Sequence, residues 1–385
     1  MTTVTQSDID ALTQARGLID GVLAGWAVVV PPDPVDPPVE PPIDPPPPID
    51  PPPVDPPVPP VYDVLPTFKS GAPGAWSVYD LTGKRFAMQL NLRRLSFVQV
   101  VGGTYETPDT SFYVDGGSDI EVVDATFTGA PMQSSNTQRC RIINSTRVSL
   151  DGCTIIGGLA TNGIDQSAPP PLDSSGNVKG LGAGKGVNID NCVDCTVRDC
   201  DISLVHKGIT VGKSVVAVTD NKIHDIRTSP ISGVFGSGSV ILGNDTSDSK
   251  TWGYGGNYDH GDMLHIWTEG GDIDGLIIAE NRFEQGAGSP LMGIFLQAKD
   301  GGFTNLDARN NYISTACGQG WRADGCSGVI DGTVLHWPGD HSDPKTEPRL
   351  DVNAPSHDLA VNNTKGIVTV DKGLKNVTVN GVLQP

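Results

Sequence analysis

Positive charge is scarce in this chain of 385 residues: 26 Lys and Arg stand against 45 Asp and Glu, giving a net charge of −19 and a pI near 4.6. No basic stripe exists to displace counterions from a phosphate backbone, so a nucleic-acid partner is excluded. Aromatic residues are also few, at 6%, and charged residues make up 18%, whereas glycine (47) and proline (32) abound. That balance excludes an ordinary helical enzyme and points to a turn-rich β protein. No apolar run is long enough to cross a membrane, since the stretch 21–30 is too short and follows Asp8, Asp10, Arg16 and Asp20 rather than a basic segment. It reads as no signal peptide. The seven cysteines are an odd number, and the Cys192/Cys195 pair has neither a second pair nor a nearby His to complete a zinc set. Reduced core thiols are expected, with Cys317 and Cys326 placed to pair if oxidised. The run GLGAGKG at 180–186 lacks the glycine spacing and the Ser/Thr of a phosphate loop.

What is present is a repeat. An apolar residue recurs at i, i+2 and i+7, with a small, Cys or Asn residue at i+5, in segments beginning at Val98, Ile120, Val148, Cys195, Val216, Leu276 and Leu306. Each segment reads as a short strand, a tight turn and the start of a second strand. Starts separated by one or two multiples of about 21 to 30 residues fit one turn of a β-solenoid with loop insertions. Stacking of coils aligns like residues, so Asn221, Asn281 and Asn311 are expected in one internal ladder and Cys153 and Cys200 in another. The loop 162–179 is an insertion between coils. Its position is expected to wall a binding face.

With its Asn and Cys steps, this pattern resembles the right-handed parallel β-helix of the pectate-lyase-like superfamily, over roughly residues 75 to 385. The expected fold is therefore all-β: a right-handed parallel β-helix at 61–385, preceded by a short N-terminal helix within 1–30 and a Pro-rich linker at 31–60. The helix is read from Ser7 as a cap and from the spacing of Leu12, Ala15, Ile19, Val22 and Trp26. Lying on a surface and self-associating into a bundle, a homotrimer included, are both open to it. The linker holds eighteen prolines and no basic residue, which predicts an extended polyproline II spacer on the order of 90 Å.

The densest polar run is YDHGDMLHIWTEGGDIDG at 258–275. Together with GLIIAENRF, GIFLQ and NLDARNNYI, its HGDMLHIWT resembles a group of β-helix proteins encoded by phages, prophages and gene-transfer-agent-like elements, which carry an HxDxIQFW-type strand. His260, Asp262 and Trp267 match that pattern, while His265 stands where the group has Gln. The resemblance implies a virion context, which also accommodates an extracellular-type fold without a secretion signal. In that context other virion proteins, through the N-terminal segment, and a host surface polysaccharide are the expected partners.

Strand alternation places Leu264 and Ile266 in the core and Met263, His265 and Trp267 outward. On the next coils Phe295, Gln297, Arg322 and Asp324 take the outward parity, and His206 to Thr210 leads into the same face. The outward columns His265, Phe295, Arg322 and Trp267, Gln297, Asp324 would form a shelf suited to a sugar, whose ring face stacks on aromatics and whose hydroxyls need fixed partners. Trp267, Phe295, Gln297, Arg322 and Asp324 are the candidate substrate-binding residues. His260, Asp262 and His265 are the candidate catalytic ones.

Glycoside hydrolysis would draw two carboxyl groups from Asp259, Asp262, Glu269, Glu284 and Asp324. Lyase chemistry on a uronate would use His260 or His265 as base and Arg322 or Lys207 as neutraliser. Plain recognition and a purely structural decoration complete the alternatives. Asp262 has a rival role in capping the turn before its strand, and His224–Asp225 is read as a turn pair. No cofactor or metal is expected, although Asp259, Asp262, Asp272 and Asp274 offer the hard oxygens that Ca2+ takes.

Overall fold

A computed structural model describes residues 60–132, 137–158, 184–249, 251, 253–254, 257–258, 261–286, 290–338 and 347–384. The expected N-terminal helix, nearly all of the Pro-rich linker and the loop 162–179 lie outside these residues.

Three sheets carry the fold, of 14, 10 and 11 strands, each built by strands that return at every third element over most of the chain. One coil runs from Ser96–Val101 in the first sheet to Thr104–Glu106 in the second and Phe112–Asp115 in the third, and Ser118–Val123 then opens the next coil. Pairing between coils is parallel throughout, apart from the closing turn of Thr378–Val379 on Val382–Leu383. The described chain is thus all-β and forms a parallel β-helix.

The repeat in the sequence is the corner between the first and second sheets. There the chain turns with a left-handed residue at i+4: Asp124 (φ 53°), Asp199 (φ 52°), Asp220 (φ 55°) and Asn310 (φ 52°). Asp and Asn tolerate that conformation, and Gly152 and Gly243 fill it elsewhere. Residues i, i+2 and i+7 then face inward. Val98, Val100 and Tyr105, like Ile120, Val122 and Phe127, are fully buried, each contributing about 1.5 to 3 kcal/mol on leaving water. Phe86, Tyr105 and Phe127 stack with ring centroids 5.2 and 5.4 Å apart.

One coil escapes the sequence rhyme. Ser239, Ile241, Asn244 and Thr246 occupy the repeat positions between the segments at Val216 and Leu276, with hydroxyl residues where the pattern asks for apolar ones. Asn244 thereby joins the expected ladder, which becomes Asn221, Asn244, Asn281 and Asn311, all buried. Each Nδ2 donates to the next Oδ1 at 2.9, 2.9 and 3.0 Å. Each also donates to a backbone carbonyl, those of Val197, Val218, Ile241 and Ile278. All seven cysteines are free thiols, six of them buried and Cys317 half-buried. Cys200 donates to the Leu150 and Arg198 carbonyls at 3.7 and 3.2 Å, one step above the asparagines.

Because the β-helix core is closed by its own coils, removal of residues 1–59 is expected to leave its thermal unfolding transition nearly unchanged. Circular dichroism on the truncated and full chains checks this, and a large drop would show that the solenoid depends on its N-terminal segment.

Candidate functional site

The corners of the coil are unequal. Between first and second sheets the connection is short and repeated, as in Val123 to Thr126 and Asp331 to Val334. Between second and third sheets it lengthens: 129–137, 157–184, 250–261, 286–291 and 337–348 all lie there. The long connections therefore emerge along one edge of the third sheet, and connections of that kind are where binding residues concentrate.

The outward side of that sheet holds an unbroken column. Register pairs Tyr113 with Arg141, Arg141 with Asn188, Asn188 with Thr210, Thr210 with Ser232 and Ser232 with His265. It continues through Phe295, Arg322, Asp351 and Thr369. Beside it Trp267 pairs with Gln297, and Asp324 with Asn353. The expected shelf is thus assembled from strands Asp262–Trp267, Met292–Gln297 and Gln319–Asp324, and it extends further in both directions.

At its centre the His265 imidazole lies parallel to the Phe295 ring, centroids 4.8 Å apart at 10°, and 5.0 Å from the Trp267 ring. Its Nδ1 is 3.0 Å from Asp262 Oδ2 and its Nε2 is 3.3 Å from Gln297 Oε1. A neutral ring protonated on Nδ1 accepts from the Gln297 amide once that group is turned, whereas an imidazolium donates to both partners. Arg322 places its guanidinium 4.8 Å from the Phe295 centroid, and Lys299 its ammonium 4.8 Å from that of Trp267. Arg322 also holds Asp324 with Nη2–Oδ2 at 3.0 Å, and Asn353 donates to Asp324 Oδ1 at 2.8 Å.

Some expectations change here. Met263 has the outward parity but is fully buried in the apolar cluster: it is the second residue after the long connection, at the corner, where a thioether is taken out of water. Phe295 and Asp324 are outward but only 6% and 7% exposed, because their neighbours in the column cover them. Phe295 is therefore a support for His265 and Arg322, and the half-buried Trp267 is the accessible aromatic surface. Asp262 is buried, with 2% of its side chain exposed, and engages His265. His260 and Asp259 lie outside the described residues.

Several polar residues of the run are committed elsewhere. Glu269 pairs with Lys213 at 2.8 Å, Asp272 accepts from Gly302 N at 2.7 Å, and Asp274 accepts from Thr304 and Asn305. Glu284 sits on the second sheet beside Arg282. His224, also on the second sheet, bridges Asp225 and Asp201 at 2.9 Å each. Among the described residues no group of three or more His, Cys, Asp or Glu is arranged to hold a metal ion.

Sequence reasoning missed the downstream end of the strip. Beyond Arg322 it opens into a cavity of about 630 Å3 lined by Asp324, Arg349, Asp351, Thr369 and Asp371 among others. Arg349 holds Asp351 at 2.8 Å, and Thr369 donates to the same carboxylate. The signal was the alternation in Arg349–Asn353, where Leu350 and Val352 point inward and force Asp351 outward.

No protein-family model and no curated protein matches the chain. Among solved structures it is similar to DFA-IIIase from Arthrobacter chlorophenolicus A6 in complex with GF2, with a TM-score of 0.51 at 10% identity over 80% of this chain and 85% of that one. Lower scores link it to PfbA, a surface adhesin of Streptococcus pneumoniae (TM-score 0.40, 11% identity, 79% and 81% covered), and to the Dettilon tailspike protein (0.41, 12%, 77% and 62%). At these identities the likeness is one of fold alone.

Proposed function

We propose that this chain recognises a polysaccharide along the outward strip of its third sheet, in the setting of a phage virion whose host-surface glycan is the ligand. One observation carries the reading: Trp267, His265, Gln297 and Arg322 stand on consecutive coils as an accessible aromatic face among fixed amide, imidazole and guanidinium groups. Sugars need that combination, because their ring faces are apolar and their hydroxyls lose water on binding. The virion setting is supported by the HGDMLHIWT run with its following coils and by the acidic, Pro-rich composition of 31–60.

Trp267→Ala is expected to weaken adsorption to host cells and binding of their purified surface glycan about tenfold or more, as is Arg322→Ala. Unaltered adsorption in both variants would remove the strip from consideration.

A second reading, cleavage of the bound glycan, is favoured by the contact between Asp262 and His265. A buried carboxylate on Nδ1 orients the ring and leaves Nε2 on the strip, the arrangement of an imidazole that moves protons. Asp262→Asn separates the two readings when the glycan is incubated with the protein and its products are sized. Shortening of the glycan by the native chain, lost in the variant with binding retained, establishes cleavage. A glycan bound but never shortened establishes recognition alone.

A further inference from the structure

Upstream of His265 the strip gathers cations that the proposed glycan recognition does not yet use. Arg141 stands in the column itself, exposed, with its guanidinium 5.5 Å from the Tyr113 ring. Lys185 and Lys207 occupy equivalent positions on adjacent coils at the corner between second and third sheets. Lys185 reaches into the column, donating to Asn188 Oδ1 at 3.3 Å, and Thr210 donates to the same oxygen at 2.9 Å.

Two ammonium groups on coils about 4.8 Å apart repel each other. Burial lowers the pKa of both, and Lys207 lowers that of Lys185 further. The charged groups that face them are Arg141, Asp190 and Asp262, of which Asp262 is already engaged with His265. Among the described residues neither lysine, nor Arg141, nor Lys299 has a carboxylate within ion-pair distance. For Arg141 that sets it apart from most of the exposed arginines of the β-helix, which are paired.

Downstream, Lys299 over Trp267 supplies a second positive charge, while Arg322 over Phe295 is paired with Asp324. From Asn188 to Phe295 the column climbs four coils, or about 19 Å at 4.8 Å per coil. The strip therefore carries positive charge at Arg141 and Lys185, an aromatic centre at His265, Trp267 and Phe295, and positive charge again beside Trp267 at Lys299. A ligand with negative substituents would relieve the repulsion at the upstream group and meet Lys299 beside Trp267.

We infer that the strip is built for an acidic polysaccharide, one carrying a carboxylate, sulfate or phosphate on its repeating unit, with Arg141, Lys185 and Lys207 forming an anion subsite. This rests on the reading that the strip binds glycan. It extends that reading by fixing the charge class of the ligand and by naming residues on coils that the aromatic centre does not touch.

The test is retention of the full chain, at about physiological salt, on immobilised alginate and hyaluronate for carboxylate, dextran sulfate for sulfate, a polyol-phosphate teichoic acid for phosphate, and dextran and pullulan as neutral polymers. Retention is expected on acidic members only, and the member retained identifies the anion. The Lys185→Gln/Lys207→Gln variant should bind that member at least about tenfold more weakly, and Arg141→Gln, at an exposed position, should weaken it in the same direction. Unfolding curves of each variant show whether the fold is kept.

Retention on neutral polymers alone, equal binding by the lysine and Arg141 variants, or no retention on any acidic member would overturn the inference. Trp267→Ala distinguishes its failure from failure of the underlying reading. Loss of binding to a neutral polymer in that variant keeps the strip as a glycan site and removes only the acidic specificity, whereas unchanged binding removes the strip itself.

Discussion

Replacing Arg139 with leucine is expected to destabilise the β-helix by on the order of 3 to 5 kcal/mol. The side chain is fully buried, and its guanidinium donates to five backbone carbonyls: Thr107 and Asp109 at 2.8 and 2.9 Å, Ala130 at 3.0 Å, and Ile156 and Gly157 at 3.0 and 3.2 Å. These belong to successive coils at the corner between second and third sheets, so one residue ties together the points from which the connections 107–111, 129–137 and 157–184 depart. Burial holds the guanidinium below its ordinary pKa, but the group stays charged because its ordinary value is so high.

Leucine would fill the space while leaving those carbonyls without their donor in an environment that water reaches poorly. Lysine, with three donors on a point charge, cannot span the five acceptors, so Arg139→Lys should recover only part of the loss. Chemical unfolding followed by circular dichroism gives the number. A change under about 1 kcal/mol would show that the corner is held by its backbone pairing alone.

The asparagine ladder gives the second large effect. Asn281→Ala removes the acceptor for both Asn244 N and Asn244 Nδ2, and it removes the donors to Ile241 O and Asn311 Oδ1. Each polar group left unpaired in the core costs about 1 to 3 kcal/mol, so a total near 3 to 5 kcal/mol is expected after relaxation.

Asn281→Asp adds a test with a sign. Burial raises the folded pKa of such an aspartate above its unfolded value, so the neutral form is the one the fold tolerates. The variant should be closest to the native chain below the unfolded Asp value, near pH 4, and lose stability relative to it as pH rises toward 7. A constant difference from the native chain across that range would mean that the ladder site admits water.

Much of the scaffold was legible in the sequence because its determinants are local. A left-handed residue such as Asp124 or Asn310 must follow each first-sheet strand by a fixed count, and the inward positions then repeat at i, i+2 and i+7. Three of the four ladder asparagines follow from that count. Asn244 was hidden because Ser239 and Thr246, both fully buried, break the apolar rule while satisfying the geometric one. A hydroxyl can replace an apolar side chain inside a solenoid when a backbone carbonyl is near, as Ser239 shows with its 2.7 Å bond to Gly236 O.

The sequence by itself also determined which residues of Asp262–Trp267 face outward beyond the corner, since alternation along a strand needs no partner. Only the tertiary structure decided what they meet. His265 finds Asp262 within its own strand, but Gln297 and Phe295 come from the next coil, and Lys185 pairs with Lys207 on the adjacent coil. Connections of unequal length separate these residues in the chain, so their alignment depends on which coil stacks on which and in what register. The burial of Phe295 and Met263 belongs to the same class: parity fixes direction, whereas exposure depends on neighbours one coil away, and stacking supplies those neighbours only once the whole solenoid has closed.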